Sequence, residues 1–334
     1  MVQKINRSLT QIKPTVFSEI AQMTKDHDAL NLAQGFPDFD GPDFVKNFAI
    51  EAMQSGLNQY APSPGTPNLR RSLSAMYKNF YDLDYNELSE VTVTDGATEA
   101  LFCTLQALVN PGDEVIVFEP FYDSYVASLH LAGANPIPVT LKGPNFSFDE
   151  RELEQAITEK TKAIVFNSPH NPSGKVFSKG ELEILAKHAK KNDLYVLCDE
   201  VYEFLTYDDL PHIPLATLEG MRERTIIASS AAKTFGLTGW KVGWFVAPET
   251  ITAKIRLVHQ YATFCGPHPL QWAVGEALKE MEAYQKELKD LYRPKKEKMV
   301  KIFKDLGLDF YQPRGSYFLL CRIDKLTDKN DVEF

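Results

Sequence analysis

The 334-residue chain has no stretch of bilayer-spanning length that is free of charge, so no transmembrane helix is expected. The opening segment, Met1–Arg7, lacks the apolar core of a signal peptide. A cytoplasmic setting follows as the expectation. Cysteine is scarce. Cys103, Cys198, Cys265 and Cys321 are scattered, with no CxxC pair and no metal-ligand spacing. This pattern excludes a disulfide scaffold and an ordinary zinc site, and thiols in a reducing compartment are the simplest account. Positive charge is also short. The balance of 36 Lys and Arg against 45 Asp and Glu leaves a net charge of −9, which argues against nucleic acid or an anionic membrane as partner. No GxGxxG follows the first strand-like run, which removes a nicotinamide-dinucleotide site. Internal repeats and low-complexity segments are absent as well.

What remains is an ordinary globular composition, 44% hydrophobic and 24% charged, on a chain long enough for two domains. From Glu90 onward, apolar strand-like runs alternate with amphipathic helices. Strands are expected at Val91–Asp95, Glu114–Glu119, Pro136–Leu141, Thr161–Asn167, Leu194–Asp199, Arg224–Ser229 and Val242–Pro248. Helices are expected at Thr98–Val109, Tyr122–Ala132, Asp149–Ile157 and Lys179–Lys191. This alternation predicts an α/β fold with a mostly parallel sheet flanked by helices. The flanks differ. A helix and the loop around Gly35 precede the sheet region. A charged helix follows it from about Tyr284, then a turn at Arg314-Gly315 leading into a strand through Tyr317 and Phe318.

In such sheets ligands bind beyond the carboxyl ends of the strands, and the chemistry-bearing residues fall there. Lys233 follows the run Thr225–Ser230, among the small residues Ser229, Ser230, Ala231 and Ala232. A buried amine there must be paired or neutralised, and a Schiff base to an aldehyde would do so. The alternative is a surface lysine. Asp199 ends an apolar strand and needs a positive partner. That partner is either a ligand or a structural Arg or Lys. Tyr202 lies three residues on. Asp95-Gly96-Ala97-Thr98 opens a helix and can offer free N–H groups to an anion, or be a plain strand–helix turn. Tyr122 is either a stacking ring or a packed helix start. Asn171 sits in a loop stiffened by Pro169 and Pro172, suited to holding one polar side chain in place.

Together, and in this order, these motifs resemble the fold-type I, pyridoxal-phosphate-dependent aminotransferases of class I and II, in particular the kynurenine, glutamine and methionine group. The resemblance runs from about Thr15 to Phe318. It implies a large domain over 42–284 and a smaller α/β domain built from both chain ends, 1–41 and 285–334. It implies that Lys233 carries pyridoxal 5'-phosphate as a Schiff base and acts as general base, with Asp199 on the pyridine nitrogen and Tyr202 and Asn171 on the phenolic oxygen. Tyr122 would stack on the ring. Ala97, Thr98, Ser230 and Lys241 would hold the phosphate. Tyr60, within Asn58-Gln-Tyr60, would reach the phosphate of a neighbouring subunit, which implies a homodimer with shared sites. Gly35, Phe17 and Asn171 would line the substrate side, and Phe264 would enter from the partner.

The implied reaction is ping-pong transfer of an amino group from an apolar or sulfur-containing amino acid to a 2-oxo acid. No metal is implied. Family members continue for several tens of residues past a Gly-Ser-Tyr-Phe strand and carry there the arginine that clamps the substrate carboxylate. This sequence stops at Phe334, and neither Arg314 nor Arg322 inherits that role. Two further readings follow from the same residues: a cysteine-conjugate C–S β-lyase, or a cofactor-binding protein with impaired turnover. Cys265 stands where kynurenine-preferring members often carry histidine, which favours methionine or glutamine over aromatic donors.

Overall fold

The structure, a computed structural model, describes residues 7–12, 15–330 and 333. Most of Met1–Arg7 and the end of the 285–334 segment therefore lie outside the described residues.

Seven strands form one sheet: β1 (Val91–Asp95), β2 (Glu114–Glu119), β3 (Asn135–Thr140), β4 (Thr161–Asn167), β5 (Tyr195–Asp199), β6 (Thr225–Ser230) and β7 (Val242–Val246). Their spatial order is β1-β7-β6-β5-β4-β2-β3. The central strands are buried on both faces, which is why they read as continuous apolar runs rather than alternating ones. Successive residues still face opposite sides. Phe166, Val196 and Trp244 join one core, whereas Val165, Leu197 and Phe245 join the other. Each such fully buried apolar side chain stabilises the fold by roughly 1.5–3 kcal/mol.

Helices supply the crossovers that parallel strands require. They are α4 (Ala97–Leu108), α5 (Ser124–Ala132), α6 (Glu150–Ala156) and α7 (Lys179–Lys191). Capping explains two of the starts. Asp149 Oδ1 accepts from Arg151 N at 2.8 Å ahead of α6, and Ser178 forms a capping box with Glu181 ahead of α7. The link from β6 to β7 is short, with the turn-length helix α8 (Ala231–Thr234) and a 3-10 turn at Thr238–Trp240, so the chain returns antiparallel. Because β1 is antiparallel to β7, it runs parallel to the rest. One edge of the sheet therefore gathers the ends of β1, β2, β4, β5 and β6 and the start of β7.

The sequence reading differs from the structure in three ways. Boundaries shift by one or two residues, most usefully at Tyr122, which lies in the loop before α5 rather than on the helix. Helices α2 (Asp43–Gln54), α3 (Pro67–Tyr81), α9 (Glu249–Ala262) and α10 (His268–Ala277) were not singled out, and they cover the sheet and its flank. The strand expected after Gly315 does not form. Ser316 takes a left-handed φ of 54°, which interrupts extended backbone, and only isolated bridges such as Phe310 with Cys321 remain. The flanking helices are α1 (Val16–Asp26) and α11 (Met281–Asp305). No helix among the described residues is long and apolar enough to cross a membrane.

Candidate active site

The strand-end edge opens into a cavity of about 270 Å³. Eleven of the thirteen residues singled out from sequence line it: Phe17, Gly35, Ala97, Thr98, Tyr122, Asn171, Asp199, Tyr202, Ser230, Lys233 and Lys241. Register accounts for much of this. Asn167 pairs with Asp199, and Asp199 with Ala228, so three adjacent strands end at one level.

At one end of the cavity lies a cradle for an anion. Helix α4 begins at Gly96, whose φ is +78°, with no side-chain cap on its free N–H groups. Backbones meet closely here. A Cβ at Gly243 would stand 2.3 Å from the carbonyl carbon of Gly96, and one at Gly96 would stand 3.0 Å from Lys241 Nζ. Lys241 makes no salt bridge among the described residues, and the Ser230 side chain caps no helix. Uncapped N–H groups, an unpaired ammonium and a hydroxyl form a donor set that fits a phosphate.

At the middle sits Asp199. Its Oδ2 accepts from Tyr125 Oη at 2.6 Å and its Oδ1 from Val201 N at 3.3 Å. No Arg or Lys of the described residues is within salt-bridge distance, so the structural ion pair considered from sequence is not present. Burial pushes the carboxyl up to about 6, against the lowering effect of the Tyr125 hydrogen bond. A buried carboxylate in this condition fits a protonated ring nitrogen as its missing counter-charge.

Lys233 lies in α8, just past β6, and its Nζ donates to Tyr317 Oη at 2.8 Å. The same amine is 5.9 Å from the centre of the Tyr202 ring and 5.5 Å from that of Tyr317. The Tyr202 hydroxyl is pushed well above the usual phenol range, first by burial and then by Tyr317. Asn171 is fixed from behind, because Asn167 Oδ1 accepts from Asn171 N at 2.6 Å. Beside it His170 is buried and pushed down to about 3, chiefly by that burial, and bonds Ser173 at 2.8 Å. The Asn171 loop is closed at its base by His170 N donating to Lys175 O at 2.8 Å, and the buried Lys175 there pairs with Glu181.

Tyr60 and Phe264 stand apart from this cavity. Their rings meet edge to face, 5.5 Å apart, at 81% and 41% exposure. Arg314 is exposed and Arg322 pairs with Asp324 at 2.9 Å, so neither lines the cavity.

Sequence reasoning missed several contributors. Tyr125 follows Tyr122 by three residues, a spacing that was the only local hint. Tyr317 lay in the Gly-Ser-Tyr-Phe motif but drew no role. A buried acidic layer lies under Asp199. There Glu200 pairs with His212 at 2.8 Å, and Glu203 accepts from Ser229 Oγ at 2.8 Å and Tyr81 Oη at 3.0 Å. Burial, then Glu200, pushes Glu203 up to about 7. No cluster of metal-ligating side chains occurs among the described residues.

Comparison with known proteins places this geometry. Residues 27–333 match the family described as aminotransferase class I and II. The chain is 40% identical over 332 residues to a probable N-succinyldiaminopimelate aminotransferase of Mycobacterium tuberculosis, covering 98% of this chain and 84% of that protein. It is 37% identical over 326 residues to a methionine aminotransferase of Escherichia coli, with the same coverages. The solved structure of the N-succinyldiaminopimelate aminotransferase from Mycobacterium tuberculosis superposes with a TM-score of 0.95, covering 98% of this chain and 86% of that one. An anion cradle, a buried counter-charge and a reachable lysine on this fold suit one cofactor, and the chain belongs to the class I and II aminotransferases, which work with pyridoxal phosphate.

Proposed function

We propose that this aminotransferase takes its amino group from a donor with a neutral side chain, apolar or sulfur-bearing as in methionine, glutamine or kynurenine, and gives it to a 2-oxo acid. One observation carries the reading. Among the described residues, the only charged side chains lining the cavity are Asp199, Lys233 and Lys241, and all three serve the cofactor in this proposal. Among the described residues the remaining wall, including Phe17, Gly35, Leu101, Val201 and Phe318, places no charged group against a donor side chain. Burying an unpaired charge against it is costly.

In this reading Ala97, Thr98, Ser230 and Lys241 hold the phosphate. Asp199 balances the ring nitrogen, Tyr202 and Asn171 hold the phenolic oxygen, and Tyr122 covers the ring face. When bound, pyridoxal phosphate supplies an aldehyde that bonds amines and a protonated ring that accepts an electron pair. Lys233 holds the cofactor at rest. With its amine free, Lys233 would act as the base that takes the donor Cα proton and as the acid that returns it. The cycle then runs back with a second acid, giving ping-pong kinetics.

The active form is a homodimer in this proposal. Tyr60 and Phe264, whose rings meet, and Leu257 and Tyr261, one turn apart on α9, are exposed outside the cavity and suited to burial against a second copy. The flanks, 1–41 and 285–334, act as the small domain beside 42–284. Contacts support this, because Tyr317 Oη donates to Gly35 O at 2.8 Å across the two flanks.

A donor panel tests the substrate class. Methionine, glutamine and kynurenine should exceed aspartate and N-succinyldiaminopimelate in kcat/KM by at least about tenfold. Preference for either acidic donor would overturn the neutral-donor reading.

A further inference from the structure

We propose that Tyr317 is a positioning residue for the reaction: it holds the free amine of Lys233 and aims its lone pair into the cavity. The proposal rests on the reading of Lys233 as the attaching and proton-carrying lysine.

Hydrogen-bond direction carries the argument. A phenol has one proton to donate and lone pairs to accept with. Tyr317 donates that proton to Gly35 O at 2.8 Å. Towards Lys233, also at 2.8 Å, it can then only accept. A neutral amine that gives an N–H to Tyr317 keeps its lone pair turned away from the phenol, towards the space where the donor Cα–H must lie. When that C–H bond breaks, the new N–H bond forms on this lone pair, and the electron pair left on carbon passes to the bound cofactor.

Tyr317 is itself held firmly. Arg314 N and Gly315 N both donate to Gly174 O at 2.8 Å, and Ser316 N donates to Leu205 O at 2.8 Å. Tyr207 Oη donates to Ser316 O at 2.7 Å. The ring stacks on Tyr292, 5.9 Å between centres and 15° between planes, and meets Tyr202 edge-on at 5.3 Å. Gly35 allows the approach, since a Cβ there would stand 2.7 Å from Tyr317 Cε2. The lysine on the sheet edge thus takes its aim from the two flanks.

Tyr317→Phe tests this, because it keeps the ring packing and removes only the hydroxyl. Two measurements need no turnover. One is the rate at which cofactor-free protein captures pyridoxal phosphate covalently, followed by absorbance and by borohydride trapping with peptide mapping. The other is the affinity for pyridoxamine phosphate, which cannot bond to the lysine. Capture should slow by roughly twofold to tenfold, the worth of a hydrogen bond between neutral groups. Pyridoxamine phosphate affinity should stay unchanged. In the methionine half-reaction kcat should fall by a similar factor with KM held, and the isotope effect from Cα-deuterated methionine should rise.

Capture at the parental rate with an unchanged isotope effect would overturn the role of Tyr317 while leaving Lys233 in place. Equal losses in capture and pyridoxamine phosphate affinity would make Tyr317 merely structural and overturn it too. A parental adduct mapping to another lysine, or an undiminished adduct in Lys233→Ala, would overturn the reading of Lys233 and the proposal with it.

Discussion

Asp199, Asn171 and Tyr202 stand on the sheet edge, each backed by hydrogen bonds or burial from the strands beneath them. Phe17, Gln34 and Gly35 stand on the opposite wall, on a short helix and a loop, with Gln34 exposed and the other two half-buried. The first wall is ordered by strand register and a second buried layer. The second is assembled where residues near position 35 meet residues near 317. A rigid wall suits a cofactor that stays, and a looser one suits substrates that enter and leave twice per cycle. The contrast predicts that substitutions in the rigid wall change chemistry, whereas those at the less buried side chains of the second wall, such as Phe17, change substrate binding.

The largest expected effect is at Asp199. Asp199→Asn keeps shape but removes the counter-charge, and the half-reaction with methionine should slow by roughly 10²–10³-fold. Stability should move the other way. Burial raises Asp199 to about 6 and Glu203 to about 7, so the cofactor-free fold holds protons that the unfolded chain releases near pH 4. Its stability is therefore full below about pH 4, falls as pH rises from there, and the loss is complete once pH has passed those two values. Asp199→Asn should flatten part of that loss, which thermal melts of cofactor-free protein between pH 5 and 8 would show. A variant that melts lower than the parent at pH 8, or keeps parental turnover, would place Asp199 among structural carboxylates.

The same contrast governs what could be read from the sequence. That Lys233, Asp199 and Asn171 would gather at the strand ends was legible because each follows an apolar strand, and all three line the cavity. Tyr125 and Tyr317 were not. Their partners lie 74 and 84 residues away, and an aromatic residue on a helix or after a turn reads as core. The buried Glu200–His212 pair was hidden for the same reason, since its members are joined only by a fold in the chain. Local pattern also overreached after Gly315, where an apolar run suggested a strand. Backbone donors at 314–316 instead go to Gly174 and Leu205, and Ser316 turns left-handed to reach them.

A smaller effect is expected one step behind Asp199. Tyr125→Phe removes the 2.6 Å hydrogen bond and leaves the carboxylate with only Val201 N. A hydrogen bond to a charged group is worth about 1.5–3 kcal/mol. Part of it is recovered when the cofactor supplies a positive neighbour, so a drop of roughly tenfold in the half-reaction rate is expected. The pH profile of that rate should shift to higher pH, because the lost bond favoured the ionised carboxyl. An unmoved profile would mean that Tyr125 supports packing alone.

The smallest effect belongs to the looser wall. Phe17 lines the cavity but is only half-buried and belongs to neither buried core. Phe17→Ala should leave the melting temperature and pyridoxamine phosphate affinity near parental values. What it removes is apolar contact with the donor side chain. About 40 Å² of such contact at ~25 cal/mol/Å² is worth about 1 kcal/mol, or roughly fivefold in KM for methionine. Alanine as donor reaches less of that surface and should be affected less, so the ratio of methionine to alanine kcat/KM should narrow. Unchanged KM values would take Phe17 off the donor path. A fall in kcat with KM unchanged would mean that the two walls are mechanically joined and that Phe17, like the proposed Tyr317, acts on the lysine rather than on the substrate.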